Sequence, residues 1–159
     1  MKTSPKGFTL LVAVILSTVV LTVGLSLLDH VYKQNVISST VRQSEIAFYN
    51  ADSAMECALY FDQKFNYFDF LNPTPLSVND CHGMGTTVGG YSSIADAQKR
   101  TTIFNILRVG GTIARVTVVK TNGVTFCEGT KTTCIYTQGL SSSAPEDIRK
   151  IERGLKVLY

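Results

Sequence analysis

Four cysteines, Cys57, Cys81, Cys127 and Cys134, are the residues whose type most readily supports covalent chemistry, and that chemistry is oxidation to disulfides. They allow three pairings, which spacing alone does not settle. Pairing Cys127 with Cys134 is preferred, because Glu128-Gly129-Thr130-Lys131-Thr132-Thr133 can form a hairpin tip between them. That leaves Cys57 to pair with Cys81, tying a helix to the loop that follows it. A zinc site would need a tighter ligand set: there is no Cys-x-x-Cys or histidine pair, and His82 beside Cys81 is the only nearby imidazole. A nucleophile needs a positioned base, but His30 and His82 sit in no recognisable constellation. Glu146-Asp147 lies beside serine and proline, where helix capping or solvation is the expected role. Calcium-loop spacing, a dinucleotide fingerprint and a P-loop are all missing. The chain is therefore read as neither an enzyme nor a carrier of metal or cofactor.

The compartment of those cysteines depends on the N-terminal segment. Phe8 to Leu28 carries no charge, and at about 1.5 Å per residue it makes a helix of roughly 32 Å, enough to cross a bilayer core of about 30 Å. Lys2 and Lys6 precede it, and a positive flank stays cytoplasmic, so the remainder is expected outside, where thiols pair. A secretory signal would have a shorter apolar region and a small-residue cleavage motif. No Ala-x-Ala occurs between Val23 and Val36, so the helix is expected to be retained.

The junction Lys6-Gly7-Phe8-Thr9-Leu10-Leu11, with a short basic leader and an apolar helix starting at once, resembles the processing site of type IV prepilins and pseudopilins. The resemblance covers the first thirty residues closely and the whole chain in layout. It implies that a membrane peptidase cuts after Gly7 and methylates the new amino terminus at Phe8. It further implies that the apolar helix packs with other copies or related pilins in a filament core, and that a separate ATPase and platform protein drive growth. Membrane lipid would surround the helix before assembly. Most family members carry glutamate at the fifth mature position, thought to meet a neighbour's terminal amine, whereas this chain has Val12. An unpaired amine in an apolar bundle is costly. Either the subunit sits at a tip or is incorporated rarely, or its filament satisfies the amine otherwise. A minor or tip pilin is ranked ahead of a major one, and the other alternative is a membrane-anchored extracellular binding domain outside any filament.

After Leu28 no helix breaker occurs until Asn72-Pro73, and Ile37, Val41, Ser44, Phe48, Ala51, Met55 and Ala58 recur at steps of four and three, which predicts one apolar stripe. Arg42, Glu45, Asp52 and Glu56 fall off it, toward solvent or a neighbouring subunit. Gly24 is the only glycine in the apolar run; it marks either a weak point on assembly or a place of close helix packing. Asn72-Pro73-Thr74-Pro75, Cys81-His82-Gly83-Met84-Gly85 and Gly89-Gly90 predict a connecting loop region.

From Thr101 the texture is β, with strands predicted at 103–109, 112–120, 124–128, 133–139 and 148–158. Turns are expected at Gly110-Gly111 and Asn122-Gly123. Arg115 and Thr117 alternate with Val116 and Val118, predicting a wet and a dry face, the dry one covering Ala54, Ala58, Phe61 and Phe65. The expected fold is α+β, a pilin-like layout with a long N-terminal helix under an antiparallel sheet of four or five strands. Its parts are a leader (1–7), an assembly helix (8–28), the outer half of the long helix (29–65), a connecting region (66–100) and the sheet (101–159). Net charge is +3, and without Lys2 and Lys6 there remain 13 basic against 12 acidic residues, which gives no push toward polyanions. Arg149, Lys150, Arg153 and Lys156 form the one local basic cluster, but strand edges carry such charges to prevent unwanted pairing, so nucleic acid is not expected as a partner.

Overall fold

The computed structural model describes residues 6–77, 81, 87–108, 111–144 and 150–159. The leader residues 1–5, His82, Gly83, Met84, Gly85, Gly110, Glu146, Asp147 and Arg149 lie outside the described residues. The chain divides into two compact units, Met1–Thr40 and Val41–Tyr159.

One helix, α1 (Lys6–Phe65), runs through both units. It contains no proline, and it passes unbroken through Gly24, its one glycine beyond the first turn. It stops at Asn66, which adopts φ 51°, and the Asn66 amide donates to the Asp62 carbonyl at 3.0 Å. This is a left-handed cap at a residue type whose short polar side chain tolerates that conformation.

In the second unit a five-stranded antiparallel sheet is formed by β1 (Thr87–Ala95), β2 (Lys99–Arg108), β3 (Gly111–Thr121), β4 (Thr133–Leu140) and β5 (Glu152–Leu158). Strand order equals chain order. Val116 pairs with Phe104 and Thr137, and Val118 with Thr102 and Ile135. These six side chains are buried, whereas Arg115, just before Val116, is exposed and Thr117, between the two valines, is half-buried. The period of two thus separates a dry face from a wet one.

The dry face packs on residues 41–65 of α1, where Ala47, Ala51, Ala54, Met55 and Ala58 are buried. The apolar stripe is therefore displaced from the expected one: Phe48 is 44% exposed, Ile37 and Val41 are exposed as well, and Ala47 is buried instead. Backbone proximity explains the displacement. A Cβ at Gly139 on β4 would fall onto the carbonyl oxygen of Ala47 and the amide of Ala51, so helix and sheet meet where only small residues fit. Phe65, expected under the sheet, is exposed and joins Tyr60, Phe61 and Tyr67 in a ring cluster with centroids 5.1–5.8 Å apart.

Other differences concern the sheet. Residues 66–100, expected to connect helix and sheet, contain β1 and the start of β2. Gly89-Gly90, expected in a connecting loop, is a bulge within β1: the pairing with β2 shifts between Gly89 and Ser92, and Gly90 has φ 61°. The predicted strand at 124–128 is absent, because Asn122 folds the chain back on itself. Its Oδ1 accepts from the amides of Val124 and Thr125, and the tight turn Glu128–Lys131 follows. Among the described residues the last strand begins at Glu152, after Lys150 and Ile151, which were expected within it; residues 148 and 149 lie outside the described residues. Phe68, beyond the helix cap, stacks on Phe104 with centroids 5.8 Å apart, and Arg100 Nε donates to the Phe70 carbonyl at 2.7 Å. These contacts hold the region after the helix against β2.

Candidate functional site

The first unit presents one uninterrupted surface. Every residue from Phe8 to Thr40 is exposed, including Phe8 at the expected processing junction (72%) and Val12 at the fifth position after it (37%). A Cβ at Gly24 would meet open space. Three hydroxyls within the apolar run turn onto the helix itself. Ser17, Thr18 and Thr22 donate to the carbonyls of Val14, Ile15 and Val19 at 2.9, 2.8 and 2.9 Å. These three polar hydrogens are satisfied inside the helix, as a hydrocarbon environment requires. The first charges of α1 after the run form a helical pair, Lys33 Nζ to Asp29 at 2.7 Å, and His30 lies one turn after Ser26, whose carbonyl is 3.0 Å from Nδ1. By length and composition this helix can cross a membrane.

The second unit is covalently stapled at two places. Cys57 on α1 joins Cys81 with Cα atoms 5.5 Å apart, and Cys127 joins Cys134 at 6.2 Å. The first bridge ties the helix to the region after it. The second fixes the 122–132 segment over buried Cys134 of β4.

A polar knot, which the sequence reading did not find, locks the end of α1 to the sheet. Asp62 is 5% exposed, and its carboxylate accepts from Lys120 Nζ on β3 at 2.6 Å and from the Tyr159 hydroxyl at 2.5 Å. Lys120 also donates to Asn66 Oδ1 at 2.9 Å. Burial, then the hydrogen bond to Asp62 and its negative charge, push the Tyr159 phenol far above the ordinary tyrosine range. Removal of one partner would leave a buried group unpaired. A hint was available: Asp62 lies on the buried face, four residues after Ala58.

The basic cluster read from the sequence is dispersed by the fold. Arg153 Nε donates to Ser44 Oγ on α1 at 2.8 Å, while Lys156 on the opposite sheet face pairs with Glu128 at 2.7 Å. That pair lowers the Glu128 carboxyl and raises the Lys156 amine through their mutual hydrogen bond. Lys150 lies apart from both, beside Arg115, and Arg149 is outside the described residues. No group of three metal-ligating side chains occurs among the described residues.

No family model, curated protein or solved structure matches this chain.

Proposed function

We propose that the chain is a pilin-like structural subunit of a type IV pilus or pseudopilus, cut after Gly7, methylated at Phe8 and placed as a minor or tip subunit. The observation that carries this reading is the unbroken exposure of an apolar helix from Phe8 to Leu28, with the hydroxyls of Ser17, Thr18 and Thr22 turned onto its own carbonyls. Such a surface is suited to lipid and equally to other apolar helices, because exchanging one for the other changes the transfer free energy little. It therefore serves a single-pass membrane protein before assembly and a filament core afterwards, with the head outside. The two disulfides agree with an oxidising location for that head. Val12 favours the minor or tip placement, since an aliphatic side chain cannot neutralise a neighbour's terminal amine.

The test is mass spectrometry of the amino-terminal peptide from membranes and from sheared surface material of the native cells. A methylated Phe8 in the sheared fraction is expected. An intact Met1 confined to membranes would overturn the reading and leave an anchored outer domain. Counting copies along purified filaments then separates a minor subunit, present in a few copies, from a major one.

A further inference from the structure

On the wet face of the sheet, Arg115 of β3 pairs in register with Gln138 of β4, and Leu140 of β4 with Glu152 of β5. With Thr112 and Lys150 these side chains line a depression of about 230 Å³. That is room for seven or eight waters at about 30 Å³ each, or for a single sugar-sized ring.

The polar side chains of the depression are mostly unpartnered, unlike four other cations of the second unit. Lys120, Arg100, Arg153 and Lys156 each hold a partner. Here the one hydrogen bond is long, from Arg115 Nε to Asn105 Oδ1 at 3.3 Å. The side chains of Thr112, Gln138, Lys150 and Glu152 have no partner among the described residues. Two cations against one carboxylate leave a single positive charge for an incoming group. A guanidinium selects a planar carboxylate through paired N–H donors, and an ammonium beside it adds a point charge. Gln138, Thr112 and Glu152 supply both donors and acceptors, which suits hydroxyl groups, and buried Leu140 gives an apolar floor for C–H bonds.

We propose that this depression binds an acidic monosaccharide unit, a uronate, with its carboxylate on Arg115 and Lys150 and its hydroxyls on Gln138, Thr112 and Glu152. The site is independent of the filament reading, because it lies wholly in the second unit and needs no processing at Gly7.

The test is titration of the ¹⁵N-labelled full chain in detergent micelles with glucuronate, with acetate and glucose as separate probes. Glucuronate should shift the amides of Thr112, Arg115 and Gln138 saturably in the millimolar range, with acetate and glucose each at least about tenfold weaker. Arg115→Gln and Lys150→Gln should each weaken glucuronate about fivefold or more, while Lys156→Gln leaves it unchanged. Arg115 is exposed, so its replacement leaves the core intact, and an unchanged spectrum elsewhere checks this. Absence of saturable shifts would overturn the proposal. So would acetate matching glucuronate, which would reduce the site to a charge, or glucuronate binding that Arg115→Gln and Lys150→Gln leave intact.

Discussion

Residues 8–40 and 41–65 belong to one helix, yet they owe their helicity to different sources. In the first stretch every residue is exposed, and the helix rests on its own hydrogen bonds and on whatever surrounds it. In the second, Ala47, Ala51, Ala54, Met55 and Ala58 vanish under the sheet, Asp62 is tied to Lys120 and Tyr159, and Cys57 is bonded to Cys81. Bulky side chains mark the stretch that needs an outside partner, and small ones the stretch that already has one. A large apolar residue on this helix therefore signals exposure more than burial.

That contrast can be broken most directly in the core. Phe104→Ala, which removes a fully buried ring stacked on Phe68, should cost the head about 4 kcal/mol in urea unfolding of the detergent-solubilised chain. Val19→Ala in the apolar run should leave that transition unmoved, and equal losses would dissolve the distinction. Next come the staples. From loop length alone, opening Cys57–Cys81 (separation 24) should cost about 3.5 kcal/mol and opening Cys127–Cys134 (separation 7) about 2.5, read as shifts in the denaturant midpoint of the Cys→Ser pairs. Gly139→Ala should cost about 2–3 kcal/mol by pushing β4 off the helix backbone, while Gly24→Ala, facing open space, should raise helix propensity and leave the head alone.

The smallest effect concerns pH. The Tyr159 phenol is raised in the folded chain, so its contribution is complete below the ordinary tyrosine value of 10.0 and is lost as pH climbs above it. Tyr159→Phe should cost about 1 kcal/mol at neutral pH and flatten the alkaline decline in stability. Tyr136 and Lys156, raised as well, contribute the slope that remains. An unchanged alkaline limb would show that Asp62 holds Lys120 alone.

The sequence made the helix, the period-two strands β3 and β4 and an α+β layout legible, because each follows from local periodicity. What it hid depended on distant pairs. β1 was obscured by Gly89-Gly90, which reads as part of a connecting loop until a partner strand shows it to be a bulge. The stripe drifted from Ala47 to Phe48 because periodicity weighs size, while the close approach at Gly139 selects smallness. The segment after Asn122 looked β-rich in Val124, Thr125 and Phe126, but the Asn122 side chain supplies the hydrogen bonds that a neighbouring strand would have provided. The wet-face depression was invisible for the same reason: Arg115, Gln138 and Glu152 converge only through strand register.

The plain strand order has a consequence for how the head is made. Each strand from β2 to β5 finds its partner already laid down by the residues just before it. A chain delivered N-terminus first can thus build the sheet progressively, without waiting for a later segment to thread between earlier ones. Loop closures of this kind are short, which favours rapid folding. Interrupted delivery would leave a narrower sheet with its built strands in their final neighbourhood, and not a scrambled one.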